Sequence, residues 1–286
     1  MAISLARLTS RVILSVTGPE AEDYLQRMIT QKTDVATAES AGYGALLTPQ
    51  GKVISDFLFV RVDGGFLLDA PVGAAGDLLK RLTMFRLRAQ VELADVSEAM
   101  AVHVLLDGAG PTGPGTLARD PRHPELGQRF YASTTAVPSD ADGEAAYHAR
   151  RVVLGVPELG FDVVAGDCFP HDLAMDDLSG VSFTKGCFVG QEVVSRMKHR
   201  GTARRRPVRL VGTAPLSRGS DVLAAGRSLG SVGTVAGREG LAILRLDKIK
   251  AAIDAGGSVT VGDVPVHVEL PAWAHYGWPE AAAGDE

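Results

Sequence analysis

The stretch KGCFVGQEVVSRMKHRG, Lys185 to Gly201, predicts a loop followed by a short helix. Gly186 and Gly190 flank the loop, which carries Cys187, one of only two cysteines in the 286 residues. A cysteine beside a lysine and just before a helix N-terminus is favoured as thiolate, the form that attacks electrophiles and binds iron or zinc. The loop therefore presents a candidate reactive cysteine, with Lys185 as its expected basic neighbour.

The helix after the loop has sequence signals at both ends. Gln191 and Glu192 suit its first turn, where an acid meets exposed N–H groups and the positive end of the dipole. We expect Glu192 to face those N–H groups or Lys185, and Gly201 to end the helix. The alternative is that Cys187 is a small buried hydrophobe, as free cysteines usually are, and that the glycines serve chain geometry alone.

Composition and charge describe an ordinary globular chain, with 45% hydrophobic and 22% charged residues. The net charge of −5 argues against a nucleic-acid-binding surface. Two cysteines do not make a disulfide framework, so a reducing compartment is expected. Arg7 and Arg11 interrupt the apolar N-terminus, which argues against a signal peptide, and no stretch has the apolar length of a membrane span. We therefore expect a cytoplasmic protein with no membrane or nucleic-acid partner.

Alternating short apolar runs and amphipathic segments predict an α+β domain over residues 1–203. Strands are predicted at 11–16, 42–48, 53–62, 66–70, 89–93 and 101–106, and helices after Pro19 and at 74–85 and 144–154. The run Arg204-Arg205-Arg206-Pro207 marks the expected boundary. Beyond it, short glycine-bounded β-like runs predict a small antiparallel barrel or sandwich over residues 204–276, and residues 277–286 are expected to form a disordered tail.

Three stretches together resemble a known family: Gly42 to Arg61, Leu154 to Gly201 with its KGCFVGQE core, and the C-terminal run ending at Pro271 to Trp273. They are similar to the YgfZ-type proteins of the glycine-cleavage T-protein (aminomethyltransferase, GcvT-like) superfamily, which are folate-binding proteins of iron–sulfur cluster assembly. The resemblance covers nearly the whole chain. Within its core, the motif residues around the cysteine are Lys185, Gly186, Phe188, Gly190, Gln191 and Glu192.

The resemblance implies a folate-binding domain of three subdomains around a central opening, followed by a C-terminal β-barrel. It also implies tetrahydrofolate or a derivative as ligand, and a role in assembling or repairing iron–sulfur proteins in which Cys187 is essential. One chain supplies too few thiolates for a cluster, so a cluster bound through Cys187 would be shared with a partner or a small thiol. Cys168, His171 and Cys187 could together hold a metal but lack zinc-site spacing, and Pro170-His171-Asp172 indicates a turn and helix cap instead. Cys168 is therefore expected to be buried and dispensable.

The predicted folate contacts are Asp56, Tyr43 and one of Arg150 or Arg151, all by resemblance. Where the aminomethyltransferases carry an Asp-Asp pair, this chain has Ser55-Asp56. Acid–base work needs the right group within reach, so this departure favours an accessory factor without conventional turnover over a tetrahydrofolate-dependent aminomethyl- or methyltransferase. The structural alternative for Asp56 is that it caps a strand or pairs with Arg61.

A basic run follows the motif, and two interpretations of it stay open. The run comprises Arg196, Lys198, Arg200, Arg204, Arg205 and Arg206. Such a run is usually a solvated face. The sharper interpretation is a docking surface for polyglutamate or an acidic partner; the run has no interleaved aromatic residues, which argues against RNA.

Overall fold

The computed structural model describes residues 5–108, 110–111, 113–135, 142–201 and 203–279. Among them, every pair of named strands is antiparallel, and the helices lie outside the sheets. The predicted α+β class with a β-rich C-terminal part is confirmed. Most of the predicted tail lies outside the described residues.

The strands and α-helices of the described residues are numbered in chain order. The strands are β1 (Ala6–Arg7), β2 (Arg11–Thr17), β3 (Gly42–Leu47), β4 (Val53–Val62), β5 (Gly65–Pro71), β6 (Glu92–Asp95), β7 (Met100–Leu105), β8 (Thr116–Arg119), β9 (Gln128–Ser133), β10 (Arg205–Gly212), β11 (Asp221–Ala224), β12 (Arg227–Ser231), β13 (Val235–Ala236), β14 (Glu239–Arg245), β15 (Val259–Val261) and β16 (Val264–Glu269). The helices are α1 (Ala21–Met28), α2 (Val72–Phe85), α3 (Gly143–Leu154), α4 (Gln191–His199) and α5 (Leu246–Asp254).

The first sheet has the strand order β3-β4-β5-β2-β6. Strands β3 and β5 and most of β4 are buried, as expected for strands covered on both faces. Helices α1 and α2 bury their apolar stripes against this sheet, and Tyr24 of α1 donates to the carbonyl of Leu82 in α2. The strand predicted at 89–93 starts later, because the N–H groups of Ala89 and Val91 close tight turns instead of pairing in a ladder.

The second sheet has the order β1-β7-β9-β8 and shares a core with the first. Helix α3 lies against it and ends at Gly155, whose φ of 75° stops the helix in the left-handed region. A 3₁₀ turn, Pro170–Leu173, and the loop that carries Cys187 follow before α4. The two sheets thus form one unit whose interior lies between them.

The C-terminal unit is a sheet of seven strands in the order β12-β11-β15-β16-β10-β14-β13. The sheet wraps on itself: a Cβ at Gly230 in β12 would lie 3.2 Å from the Leu244 side chain in β14. Leu246 and Ile249 of α5 join the inward-facing apolar residues of the strands, among them Leu210 and Val222, in one core. The prediction of a mainly β part with little helix is confirmed.

The last described segment returns from the C-terminal unit to the first. Trp273 Nε1 donates to the Leu154 carbonyl at 2.7 Å, and Gly155 leaves so little room that a Cβ would lie 2.6 Å from Pro271. Arg206 of β10 donates to the His171 carbonyl and pairs with Asp176 at 2.7 Å. These contacts join the end of α3 and the segment around the 3₁₀ turn to the barrel.

Candidate functional site

Cys187 lies at the surface, on a loop that is anchored at both sides. Cys187 is exposed, whereas the next residue, Phe188, is buried and joins the core. A Cβ at Gly186 would meet no atom within 4 Å, so the position that precedes Cys187 is uncrowded. Cys168 is buried, and burial raises the pKa of its thiol. The expectation of an exposed Cys187 and a buried Cys168 is confirmed.

The junction between the loop and α4 requires glycine. Gly190 has φ 80°, a conformation that side chains with a Cβ rarely adopt. A Cβ at Gly190 would also lie 2.6 Å from the Thr48 carbonyl oxygen, because the β3–β4 turn packs directly against this position. Gly201 has φ 60° and follows the helix, as predicted for its stop signal. Cys187 therefore precedes a helix whose start is held against a sheet turn.

Lys185 holds the loop in place through the backbone of the α1–β3 connection. Its Nζ donates to the carbonyls of Gln26 (2.6 Å), Ile29 (2.6 Å) and Gln31 (3.0 Å). Burial lowers the pKa of Lys185 to about 8, so the side chain remains largely protonated at neutral pH. All three ammonium donors are engaged by carbonyls. These bonds tie Lys185, two positions before Cys187, to the end of α1 and the segment that follows it.

The expectation for Glu192 is wrong. Its carboxylate pairs with Arg196 one turn later on the exposed face of α4, and not with Lys185 or the first-turn N–H groups. The i, i+4 spacing brings these two side chains together on any helix. The pair keeps the carboxylate of Glu192 engaged on the outer surface.

Asp56 and Tyr43, two predicted folate contacts, meet inside the first unit. Tyr43 donates to Asp56 Oδ2 at 2.9 Å, and each residue is only 1% exposed. Asp56 Oδ1 has no hydrogen-bond partner among the described residues, and burial raises the pKa of this carboxyl. The alternative that Asp56 pairs with Arg61 is wrong, because Arg61 pairs with Glu22 at the surface.

Around Asp56 lies a group of buried charged side chains, here called the central charge cluster. Its members are Arg11, Asp56, Asp69, Asp120, Arg122, Arg129, Arg151 and Glu158, all buried. Arg11 bridges Asp69 (2.5 Å) and Glu158 (2.8 Å). Burial alone would raise the pKa of Glu158. The guanidinium groups of Arg11 and Arg151 outweigh burial and hold that pKa well below its usual range. Four arginines and four acidic residues are thus buried together in the interior of the first unit.

Sequence analysis missed most of this cluster. Arg129 lies in the strand Gln128–Ser133 among apolar neighbours and is 0% exposed. It shares the Tyr147 hydroxyl with Arg122, and its Nε and Nη1 have no hydrogen-bond partner among the described residues. The available signal was the presence of single charged residues at inward positions of otherwise apolar strands, since such residues are buried only when paired.

Arg151 and Arg150 lie in different environments. Arg151 is fully buried and donates to Asp162 at 2.9 Å and to Thr234 of the barrel at 2.9 Å. It also forms an ion pair with Glu158 at 3.2 Å. These partners occupy the guanidinium group, so Arg151 links the two units instead of offering donors to a ligand. Arg150 pairs with Asp107 in an exposed position.

The segment around Cys168 has the predicted structural role. Asp172 accepts a hydrogen bond from the Phe169 N–H at 3.0 Å and so caps the 3₁₀ turn. His171 is 1% exposed, and burial lowers its pKa to about 4. Among the described residues, no three His, Cys, Asp or Glu side chains form a group that could hold a metal ion.

The basic run after the motif divides into two parts. Lys198 and Arg200 are exposed, as a solvated face requires, whereas Arg206 is buried against Asp176. In the described part of the chain, no helix has both the length and the apolar character needed to cross a membrane.

The fold and the C-terminal unit each match a known class. The structure is similar to the aminomethyltransferase T of the glycine cleavage system from Bartonella henselae, with a TM-score of 0.69 and 16% identity, over 94% of this chain and 84% of that one. A family model described as "CAF17, C-terminal beta-barrel domain" matches residues 204–276. The chain therefore has an aminomethyltransferase-like fold with a CAF17-type barrel at its end.

Two named relatives identify the family to which this chain belongs. The human protein named iron-sulfur cluster assembly factor IBA57, mitochondrial, is 31% identical over 308 residues, covering 96% of this chain and 85% of that protein. The Neurospora crassa homologue of the same name is 34% identical over 228 residues, which is 71% of this chain and 52% of that protein. This chain belongs to the IBA57 family. The resemblance to the T-protein superfamily is confirmed at the level of the fold, with IBA57 in place of YgfZ as the family name.

The same comparison corrects the expected location. Cytoplasmic localisation was inferred from the reducing-compartment cysteine count and the interrupted apolar N-terminus. The relatives in both the human and the Neurospora crassa comparison are named as mitochondrial proteins, so the cytoplasmic prediction is wrong. A low cysteine count reports a reducing environment and does not separate one such compartment from another.

Proposed function

We propose that this chain is an iron–sulfur cluster assembly factor that supplies Cys187 as one ligand of a cluster shared with a partner. The observation that carries the proposal is the contrast between an exposed, anchored Cys187 and a buried Cys168. The names of the relatives support the assembly role. One accessible thiol leaves the other ligands of a cluster to be supplied from outside, since iron–sulfur clusters are held by several thiolates.

The test is complementation of a strain that lacks this protein, with iron–sulfur enzyme activities as the readout. The Cys187→Ser variant should fail to restore them, whereas Cys168→Ser should restore them if it folds. An enzyme without iron in the same strain controls for general loss of fitness. Full rescue by Cys187→Ser would refute the role of the thiol.

A biochemical test addresses the shared cluster directly. Under anaerobic reconstitution with iron and sulfide, the chain alone should acquire no stable cluster, while addition of glutathione as small thiol should give a visible charge-transfer absorption that Cys187→Ser lacks. Equal absorption in the variant would place the ligand elsewhere.

Tetrahydrofolate binding is a second candidate, supported by the fold class and by the unpaired Oδ1 of Asp56. Burial of Asp56, Tyr43 and Arg151 opposes it, because a folate could reach them only after the interior opened. Calorimetry with tetrahydrofolate, on the wild type and on Asp56→Asn, tests this binding; unchanged affinity in the variant would remove Asp56 from the site.

The alternative activity is aminomethyl or methyl transfer from tetrahydrofolate, and it is favoured by the aminomethyltransferase-like fold alone. Its chemistry requires an acid–base group in reach of the transferred unit. Asp56 is engaged with Tyr43, and Ser55 replaces the second carboxylate. A turnover assay for one-carbon release from a methylated or aminomethylated substrate distinguishes the transferase from the assembly factor.

A further inference from the structure

A cleft of about 230 Å³ lies where the β3–β4 turn, α4 and the barrel meet, and it is lined mainly by cations. The basic residues of the lining are Lys52, Arg204, Arg205 and Arg245. They come from three separate segments of the chain, so the fold and not the local sequence brings them together. The cleft shares no residue with the central charge cluster.

The cations of the cleft keep many hydrogen-bond donors without acceptors. Arg204 has no side-chain hydrogen bond to any other described residue, and Arg205 lies 3.9 Å from Asp172, beyond hydrogen-bond distance. Lys52 uses one of three donors, on the Asp167 carbonyl at 3.1 Å. Arg245 spends Nε and Nη2 on Asp247 and keeps Nη1. Most of these donors are therefore not committed to other described residues and are accessible to a ligand.

The charge balance of the cleft is positive. Among the described residues of the lining, Asp172 is the single carboxylate, and one of its oxygens accepts from the Phe169 N–H. Asp247, beside the cleft, balances Arg245 and leaves the other three cations in excess. Bringing like charges together is unfavourable unless an anion compensates them. Phe169 forms part of the wall, with Lys52 Nζ 3.9 Å from its ring centroid, which fixes the direction of that ammonium.

We propose that this cationic cleft binds a phosphate group, either inorganic phosphate or the terminal phosphate of a small ester. Arginine forks and a lysine are the side chains that recognise phosphate oxygens in proteins. Phosphate is a compact anion that accepts hydrogen bonds in several directions, which suits donors from three segments of the chain. The volume fits a small group and is below that of sites for large ligands.

Occupation of the cleft would tie the β3–β4 turn to the barrel, because its cations come from those two parts of the chain. Gly190, at the start of α4, packs directly on the same turn, and α4 begins four residues after Cys187. A bound phosphate would therefore hold the turn against which the helix after the thiol loop starts. This consequence for Cys187 rests on the proposed function, whereas phosphate binding itself does not.

Calorimetric titration with inorganic phosphate at constant ionic strength, with chloride as the reference anion, tests the proposal. Saturable binding is expected for the wild type. Arg204→Gln and Lys52→Met should each weaken it roughly tenfold or more, since each removes charge-assisted hydrogen bonds. Arg227→Gln, an exposed arginine on β12, is the matched control and should bind like the wild type. Thermal melts without phosphate verify that each variant is folded.

Further titrations identify the source of the phosphate. Tighter binding of glycerol 3-phosphate than of inorganic phosphate would indicate an ester, and the reverse would indicate the free ion. No binding above the chloride reference, or equal binding in Arg204→Gln, Lys52→Met and the wild type, would overturn the proposal. Glutarate binding more tightly than either phosphate would overturn the ligand class.

Discussion

The central charge cluster and the Cys187 loop both hold side chains of chemical interest, but the two regions use them in opposite ways. In the cluster, Arg11, Asp69 and Glu158 are buried and bound to one another. In the loop, Cys187 is exposed, and the buried Lys185 holds the backbone that presents it. Charged side chains in the interior are thus paired with one another, while the thiol of Cys187 lies at the surface.

The comparison also separates the predicted folate contacts from the cysteine motif. Three of the predicted folate contacts, Tyr43, Asp56 and Arg151, are buried in or beside the central charge cluster. Arg151 also reaches across to Thr234 of the barrel. The motif residues fall in the region that is accessible. Function predicted from the motif and function predicted from the fold therefore point to different parts of one molecule, and each part can be tested separately.

The sharpest test of the contrast compares the two thiols. In the folded protein, Cys187 should react with iodoacetamide about a thousandfold or more faster than Cys168, because Cys168 reacts only after the structure opens. Mass spectrometry of the single-cysteine variants Cys168→Ser and Cys187→Ser measures both rates against pH, and denatured protein gives the reference. Faster labelling of Cys168 would reverse the assignment.

A second test breaks the central charge cluster. Arg11→Met should lower the free energy of unfolding by about 3–5 kcal/mol, because Asp69 and Glu158 lose a partner while remaining buried. Urea denaturation followed by circular dichroism measures the change. The matched control is Arg119→Met, which breaks an exposed pair with Glu39 and should cost less than about 1 kcal/mol. Equal effects of the two variants would contradict the structural role of the cluster.

A third test loosens the loop without touching the thiol. Lys185→Met should cost about 2 kcal/mol or more, because three buried carbonyls lose their donor. It should also change the alkylation rate of Cys187. A loss of stability confined to a site far from the loop would leave that rate unchanged. Lys80→Met, an exposed lysine on α2, is the control. An unchanged rate in Lys185→Met would show that the loop keeps its position without the lysine.

The last test concerns acid stability in the segment around Cys168, where the effect develops gradually with pH. His171 is buried neutral with its pKa lowered to about 4 from an ordinary value of 6.5. Between these values the unfolded chain binds a proton that the folded chain excludes, so stability falls as pH falls from 6.5 towards 4. The expected slope is roughly 1 kcal/mol per pH unit.

His171→Gln should flatten this part of the pH profile relative to the wild type. Urea midpoints measured between pH 7 and 4 give the difference, and His267→Gln, an exposed histidine on β16, should leave the profile unchanged. Parallel profiles for wild type and His171→Gln would show that His171 gains a proton without opposing the fold.

The sequence predicted elements whose signals are local. The helix after Cys187 has its cap glycine, first turn and stop glycine within a few residues, and all three occur where expected. The exposure of Cys187 also followed from its neighbours. By contrast, the partner of Glu192 depended on a choice between competing contacts, which residue spacing alone does not decide.

The central charge cluster could not be predicted as a whole, because several of its pairs join residues that are far apart in the chain. Arg11 and Glu158 are separated by 147 positions, and Arg151 and Thr234 by 83. Only the packing of two sheets and a barrel brings them into contact. A basic residue at an inward strand position predicts that a partner exists, but it gives no information about which carboxylate that partner is.

The bond between Arg151 and Thr234 has a consequence for the order of folding. Synthesis produces residues 1–203 before the barrel, so α3 is complete while one acceptor of its buried arginine is still missing. The Leu154 carbonyl, at the end of the same helix, also lacks its donor until Trp273, near the end of the described chain, has been made. The final packing of the first unit thus requires the last part of the chain to be made, and the two units should unfold in a single cooperative transition.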